Sequence, residues 1–168
     1  MTLKQSMAPA GSRNPQLLVL GSLPGEASLA AQRYYAHPQN QFWRLLGQAL
    51  GEPLASLEYD ERLNRLAARG VGMWDVVGEA TRIGSLDGAL RNVAANPLAD
   101  FVARQPRLDA IAFNGQTAAR IGRRVLGDVA PALIDLPSSS PAYTLAFAAK
   151  AARWSVLAKF ARAATLAP

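Results

Sequence analysis

The sequence contains no cysteine and a single histidine, His37, among its 168 residues. The absence of cysteine excludes disulfides, thiolate zinc sites, iron–sulfur clusters and cysteine nucleophiles. We therefore expect neither a metal nor a cofactor. His37 lies directly before Pro38, where it could serve either as an acid catalyst near neutral pH or as a hydrogen-bond partner at a helix start.

Charged residues and long apolar runs are also scarce. Charged residues make up 18% of the chain and hydrophobic residues 50%, which is typical of a folded domain. No apolar run approaches the roughly 20 residues that span a bilayer, and residues 1–16 lack the apolar core of a signal peptide. We expect a cytoplasmic monomer without membrane contacts. Its residues 1–16 should form a flexible leader and residues 17–168 a single domain.

Basic residues outnumber acidic ones. Eighteen Lys and Arg against twelve Asp and Glu leave a formal charge of +6, so the long-range field suits a polyanionic partner such as nucleic acid. Charge of this size also serves plain solubility. The net charge alone does not distinguish nucleic-acid binding from solubility.

Apolar patterns predict a sheet covered by helices. Residues 17–20 are a continuous apolar run that ends at Gly21, as in a strand buried on both faces of a parallel sheet. Similar runs predict strands over residues 71–77, 109–113 and 133–136. Periodic apolar positions predict helices that begin near Pro38, Tyr59, Pro97, Asn114 and Leu145, the last extending to Ala164. This alternation predicts an α/β fold of three layers (α/β/α) with a central, mostly parallel, four-stranded sheet.

Ligands of such folds bind at the carboxyl ends of the strands, which selects the loops after residues 20, 113 and 136. The first loop reads GSLPG at residues 21–25 and is followed by YYAHPQNQFW at residues 34–43. Tyr35 there could stack on a nucleic-acid base. The last loop carries Ser138, Ser139, Ser140 and Pro141, whose hydroxyls and backbone amides could hold the phosphates beside a target nucleotide.

These segments together resemble the signatures of a known family. GSLPG, YYAHPQNQFW and LPSSSPA at residues 136–142 resemble segments of the uracil-DNA glycosylase superfamily. GMWDVV at residues 72–77, RIGSLD at 82–87 and FNG at 113–115 resemble further blocks of its hypoxanthine-DNA glycosylase branch. The resemblance extends from about Leu17 to Trp154.

The resemblance implies a monofunctional DNA glycosylase of base excision repair, which flips a deaminated base, hypoxanthine above all, out of DNA and removes it by hydrolysis. The classical uracil branch carries an acid in the first segment and a histidine in the last, and both are missing here. The mismatch-specific branch places Asn in the first turn where this chain has Leu23, which argues against activity on uracil. In the hypoxanthine branch an asparagine of the HPxN segment replaces the missing acid, so Asn40 is implied to orient the attacking water.

The residues suggest how a flipped base would be held and attacked. The amide of Asn114 offers a donor and an acceptor that complement O6 and N1–H of hypoxanthine, while Tyr35 would stack and Leu23 would line the base pocket. Glu26 could place the water or could be a solvated loop acid. Asp75, predicted within a strand beside the base, needs a local partner and could brace the first loop through hydrogen bonds.

Other functions remain open at this stage. A glycosylase for uracil, mismatched bases or xanthine belongs to the same class, whereas a nucleotide-binding protein that kept the fold without the chemistry belongs to another. A serine hydrolase is disfavoured because no GxSxG elbow is present and the histidine lies in a different loop.

Overall fold

The central sheet forms from the apolar runs that predicted strands. The computed structural model describes residues 2–163. The predicted helix end at Ala164 and the predicted domain end at residue 168 lie outside these residues. The elements in chain order are β1 (Thr2–Gln5), β2 (Ala10–Gly11), β3 (Leu17–Gly21), α1 (Glu26–Ala31), α2 (Phe42–Leu50), α3 (Tyr59–Ala68), β4 (Val71–Asp75), β5 (Val77–Arg82), β6 (Arg91–Ala95), α4 (Leu98–Ala103), β7 (Ala110–Asn114), α5 (Gln116–Leu126), β8 (Ala132–Leu136) and α6 (Phe147–Trp154). Short 3-10 helices cover Leu54–Ser56, Asp87–Ala89 and Ser155–Lys159.

The predicted mostly parallel sheet is confirmed, with one strand more than expected. Its order is β2-β4-β3-β7-β8. The parallel strands are the four that the sequence predicted. The fifth, β2, runs antiparallel to β4 through the pairs Ala10↔Met73 and Gly11↔Gly72. The prediction missed it because a two-residue strand carries no periodic pattern.

Alternating side chains of the central strand divide the core into two layers. Leu17 and Val19 pack with α2, α3 and α6 on one face of the sheet. Leu18 and Leu20 pack with α4 and α5 on the other. Successive side chains of a strand point to opposite faces, so a run of leucine and valine suits a strand covered on both sides. The three-layer prediction is therefore confirmed.

Residues 2–16 are not the flexible leader that the sequence suggested for residues 1–16, because they contain two short strands. Thr2–Gln5 pairs antiparallel with β5, in a register from Thr2↔Arg82 to Gln5↔Glu79. With β6 these strands form a second, three-stranded sheet. The predicted strand over residues 71–77 accordingly divides at Val76, where the chain leaves the central sheet and enters the smaller one.

Two predicted helices are shorter than expected. α2 begins at Phe42 rather than near Pro38, and the Asn40 side chain accepts a hydrogen bond from the Phe42 amide at 3.0 Å. α6 ends at Trp154 and continues as a 3-10 helix. Within residues 2–163 no helix combines the length and the hydrophobicity needed to cross a membrane.

Candidate active site

A cavity of about 800 Å³ opens where β3, β4, β7 and β8 end. This lies within the usual size range of ligand sites. Its walls come from the first loop, from the connection between β5 and β6, and from the loop that follows β8. The lining residues that matter below are Leu23, Tyr35, Asp75, Asp87, Asn114, Ser138 and Ser140. The predicted convergence of the strand-end loops is thus observed.

Four polar side chains form one hydrogen-bonded chain at the back of this cavity. Asn114 Nδ2 donates to Tyr35 Oη at 3.3 Å and to Ser139 Oγ at 2.9 Å. Asn114 Oδ1 accepts from the Ser139 amide at 2.9 Å. Ser139 Oγ in turn donates to Asn40 Oδ1 at 2.8 Å. Tyr35, Asn114 and Asn40 therefore belong to one cluster rather than to separate surfaces.

Two backbone amides, those of Phe42 and Ser139, determine which side-chain atoms donate and which accept in this hydrogen-bonded chain. The Phe42 amide can only donate, so the Asn40 atom facing it must be the oxygen, and the Ser139 hydroxyl must donate to that oxygen. The lone pairs of Ser139 Oγ are then left to accept from Asn114 Nδ2. Because the Ser139 amide also fixes Asn114 Oδ1, the Asn114 amide cannot turn over.

Tyr35 is held in a conformation that few non-glycine residues adopt. Its φ is +54°, in the left-handed region, where a non-glycine residue costs about 1 to 3 kcal/mol. The segment around it is tied down: Tyr34 N donates to Tyr59 Oη at 3.0 Å, and Ala36 N donates to Ser28 Oγ at 3.0 Å. The Tyr35 ring stacks on Phe42 with centroids 3.7 Å apart and planes 9° apart. One face of the ring is covered, and stacking on a ligand is left to the other.

The Tyr35 hydroxyl and the Asp75 carboxylate lie directly over Gly21, which ends β3 at the floor of the cavity. A Cβ at this position would lie 2.7 Å from Tyr35 Oη and 2.8 Å from Asp75 Oδ1. Both distances are shorter than real Cβ contacts. The glycine of the first loop is therefore required by the close approach of these two groups.

Asp75 ends β4 beside this glycine, with 3% of its surface exposed. Oδ2 accepts a hydrogen bond from Ser6 Oγ at 3.3 Å, and Oδ1 accepts none from the described residues. Burial raises the pKa of Asp75 to about 7; the charge of Asp87 also raises it, whereas the Ser6 hydrogen bond and Arg82 lower it. Its one side-chain hydrogen bond among the described residues thus goes to Ser6 and not to the first loop, which we had expected Asp75 to brace.

Asp87 lines the cavity and Arg82 lies beside it, and neither was predicted as a site residue. Arg82 is fully buried; its Nη2 donates to the Pro24 carbonyl at 2.5 Å, and its Nε and Nη1 have no hydrogen-bond partner among the described residues. Asp87 Oδ1 accepts from Ser22 Oγ at 2.6 Å and lies 4.0 Å from Arg82 Nη1. Desolvation raises the pKa of Asp87. Both belong to the RIGSLD block, which was the available signal.

Glu26 and Asn40 do not line the cavity. The Glu26 carboxylate forms an ion pair with Lys4 at 3.0 Å on the surface, and its side chain is 55% exposed. Asn40 touches the site through Ser139. The structure thus places neither side chain where the sequence expected an attacking water, against the cavity.

The predicted phosphate-binding serines divide into two groups. Ser138 and Ser140 line the cavity, and Pro141 is exposed beside them. Ser139 is 1% exposed and points inward to the asparagines, because Asn114 and Asn40 bond to its hydroxyl. A phosphate contact by the Ser139 side chain is therefore not compatible with this structure.

His37 has a structural hydrogen bond. Its side chain is exposed, and Nδ1 accepts from the Gln39 amide at 3.1 Å at the turn before α2. Within the part of the chain that the structure describes, no group of three or more His, Asp or Glu side chains could hold a metal ion.

The fold and the site define an α/β protein whose ligand cavity lies at the carboxyl ends of parallel strands. The sequence profile of the uracil DNA glycosylase superfamily matches residues 8–162. The chain therefore belongs to the uracil DNA glycosylase superfamily, which confirms the family assigned from the motifs.

Three relatives, all from Methanosarcina, bear on the function. A hypoxanthine DNA glycosylase of Methanosarcina barkeri (strain Fusaro / DSM 804) is 39% identical over 113 residues, which are 67% of this chain and 72% of the relative. A protein of the same name from Methanosarcina acetivorans is 36% identical over 116 residues, covering 69% and 73%. A solution NMR structure of a candidate uracil DNA glycosylase from Methanosarcina acetivorans superposes with a TM-score of 0.82 at 32% identity, covering 94% of this chain and 98% of that one.

Proposed function

We propose that the protein is a monofunctional DNA glycosylase of base excision repair that takes a flipped, deaminated base into the strand-end cavity and removes it by hydrolysis. Hypoxanthine is the preferred base in this proposal, and the enzyme acts as a cytoplasmic monomer. The observation that carries the proposal is the fixed Asn114 amide at the back of a cavity of nucleotide size. The names of the two similar glycosylases support it.

The Asn114 amide suits hypoxanthine because of its fixed orientation. Oδ1 has a second lone pair for N1–H of the base, and Nδ2 can exchange its long bond to Tyr35 for one to O6. Adenine presents the reverse pattern, a donor at N6 and an acceptor at N1, and would leave two unpaired contacts. Such mismatched buried polar contacts are costly, so adenine is rejected.

Leu23 and Tyr35 complete the base pocket in this proposal. Leu23 is buried in the first turn and lines the cavity, where it offers an apolar contact and no hydrogen bond. Tyr35 offers the face of its ring that Phe42 leaves uncovered. Base–aromatic stacking of this kind contributes about 1 to 3 kcal/mol per base and tolerates any base. The polar edge contact therefore carries the selectivity.

Asn40 has a positioning role in this proposal rather than direct contact with the water. Its side chain holds the Ser139 hydroxyl, which in turn orients Asn114. Glu26 has no contact that would bring it to the reacting sugar, and we leave it out of the proposed chemistry. Backbone groups and the hydroxyls of Ser138 and Ser140, with Pro141 beside them, would contact the DNA strand next to the flipped nucleotide.

The test uses duplexes that each carry one deoxyinosine, deoxyuridine or deoxyxanthosine, followed by alkali cleavage of the abasic product. We expect strand scission at deoxyinosine to be fastest, and Asn114→Ala to slow it about 100-fold because a preorganised hydrogen-bonding group is lost. Asn64→Ala, on the exposed side of α3, is the matched control and should keep the wild-type rate.

Each alternative has its own result in this assay. Fastest scission at uracil or xanthine would replace the proposed substrate within the same class. Saturable binding of a nucleotide without abasic product from any duplex would assign a non-catalytic nucleotide-binding protein.

A further inference from the structure

Hydrolysis at C1′ of the sugar needs a water beside that carbon and a group that tolerates its developing positive charge. Glu26 and Asn40, which were predicted for these tasks, do not line the cavity. Among the described residues that line it, two are acids, Asp75 and Asp87. Asp75 is 3% exposed, whereas 40% of the Asp87 side chain is exposed. Asp87 is therefore the carboxylate that a substrate in the cavity can reach.

Asp87 is held through one of its two carboxylate oxygens. Oδ1 accepts a hydrogen bond from Ser22 Oγ at 2.6 Å, and Oδ2 accepts none from the described residues. Ser22 directly follows Gly21, the glycine over which the Tyr35 hydroxyl lies. The carboxylate is thus anchored to the first residue beyond the cavity floor, and its second oxygen is left to bind a ligand or a water.

Arg82 lies behind Asp87 and supplies a positive charge. Its guanidinium is fully buried, with Nη1 4.0 Å from Asp87 Oδ1, and among the described residues neither Nε nor Nη1 has a hydrogen-bond partner. A buried guanidinium is costly unless an anion compensates its charge. Desolvation raises the pKa of Asp87, whereas the Ser22 hydrogen bond and the charge of Arg82 lower it. Ser22 and Arg82 therefore stabilise the ionised form of Asp87.

The cavity walls place Asp87 across from the loop that follows β8. Asp87, Ser138 and Tyr143 also line a second cavity of about 470 Å³, so the two loops face each other where the cavities meet. In the proposed function the base edge lies at Asn114 and the neighbouring phosphates lie at Ser138. The sugar joins these two parts of the nucleotide, and the wall that remains for it carries Asp87.

We propose that Asp87 is a catalytic residue of base excision, whose free oxygen holds the attacking water at C1′ and whose charge stabilises the sugar cation. This inference rests on the proposed function. It leaves recognition of the base with Asn114. A fixed charge aimed at developing charge of the opposite sign lowers the barrier because nothing has to reorient during the reaction.

The atoms and electrons of the step balance. The C1′–N9 bond breaks and its electron pair leaves with the base. The water oxygen bonds to C1′, and one of its protons passes to Asp87 Oδ2 and from there to solvent. The departing base anion takes one proton from solvent. The products are hypoxanthine and the abasic sugar, and Asp87 is again a carboxylate.

The first experiment separates the chemical step from DNA binding. Asp87→Asn keeps the size of the side chain and an oxygen for Ser22, but it has no charge. We expect its single-turnover excision of hypoxanthine to be about 100-fold slower, as is typical when one preorganised group of a site is lost. A duplex with the 2′-fluoroarabino analogue of deoxyinosine, which resists cleavage, should bind at least as tightly as to the wild type. Asp128→Asn, an exposed acid in the connection between α5 and β8, is the control and should keep the wild-type rate.

The second experiment tests for chemical rescue. Asp87→Gly removes the carboxylate from a wall that the cavity exposes, so that a small external carboxylate has room to enter. Sodium formate should raise its excision rate several-fold above sodium chloride at the same ionic strength, and it should leave Asp87→Asn unchanged. A purely structural role of Asp87 predicts no such effect of formate.

Several results would overturn the inference. A wild-type rate for Asp87→Asn would remove Asp87 from the chemistry. Weaker binding of the analogue with an unchanged rate at saturating enzyme would make Asp87 a DNA contact. Loss of the fold in Asp87→Asn, seen by urea unfolding, or a slow Asp87→Gly that formate does not accelerate would make its role structural. Absence of hypoxanthine excision by the wild type would refute the proposed function instead.

Discussion

Asn114 commits most of its hydrogen-bonding capacity to the protein before any ligand binds. Ser139 holds both ends of the amide, and Asn40 holds Ser139. A side chain restrained in this way pays little entropy when a base arrives, which is the advantage of preorganisation. Asn40 therefore contributes indirectly: it holds Ser139, and Ser139 orients Asn114.

A double-mutant cycle tests this arrangement at the residue scale. We expect Asn40→Ala and Ser139→Ala each to slow excision of hypoxanthine about fivefold, since a hydrogen bond of about 1 kcal/mol is lost from each alignment. If Asn40 acts through Ser139, the double variant should be no slower than the slower single variant. The readout is the single-turnover rate at saturating enzyme, with Asn64→Ala as the control. Multiplication of the two losses would show that Asn40 acts independently.

At the scale of elements, the sequence predicted the strands and helices that a local pattern of apolar residues marks. The strands β3 and β7 are continuous apolar runs, and burial on both faces requires such runs. β1 and β6 are largely exposed and carry no apolar periodicity, because pairing with β5 rather than burial makes them strands. The same limit applies to the site: the sequence located the converging loops, but the inward turn of Ser139 depends on contacts across the whole chain.

The loop after β8 is fastened by a buried lysine. Lys150 on α6 donates to Gln41 Oε1 at 2.9 Å and to the Ser140 carbonyl at 3.2 Å. The Gln41 amide also donates to the Ser139 carbonyl at 3.0 Å. Desolvation lowers the pKa of Lys150. The loop that we propose to contact DNA is therefore tied to two helices at once.

We expect Lys150→Met to weaken binding of lesion-containing duplex about tenfold while changing the free energy of unfolding by no more than about 1 kcal/mol. Removal of a buried cation offsets the lost hydrogen bonds, but the loop loses its anchor. Fluorescence anisotropy and urea unfolding measure the two effects. Lys159→Met removes an exposed charge of the same kind and controls for net charge. Equal losses of affinity in both variants would show that charge alone matters.

At the scale of the whole molecule, three of the four buried charged side chains among the described residues lie at the cavity end of the sheet; the fourth, Arg69, precedes β4 at the other end and is paired with Glu52. Asp75, Arg82 and Lys150 are each buried around the cavity or its loops, whereas the two core layers are apolar. A protein that stores such groups at its site gives up stability for function. Replacement of Asp75 by Asn should therefore make the fold more stable at neutral pH.

The pH dependence of unfolding measures this cost for Asp75. Its pKa is about 7 in the folded protein against an ordinary value of 3.8, so between these values the folded state holds a proton that the unfolded chain has released. The stabilising contribution is complete below about pH 4 and is lost as the pH rises through 7. Asn cannot ionise, so Asp75→Asn should match the wild type near pH 4. It should exceed the wild type by a few kcal/mol at pH 8, at about 1.4 kcal/mol per unit of pKa difference. Urea unfolding at pH 4.5, 6 and 8 gives the comparison, and a difference between the proteins that does not change with pH would contradict the raised pKa.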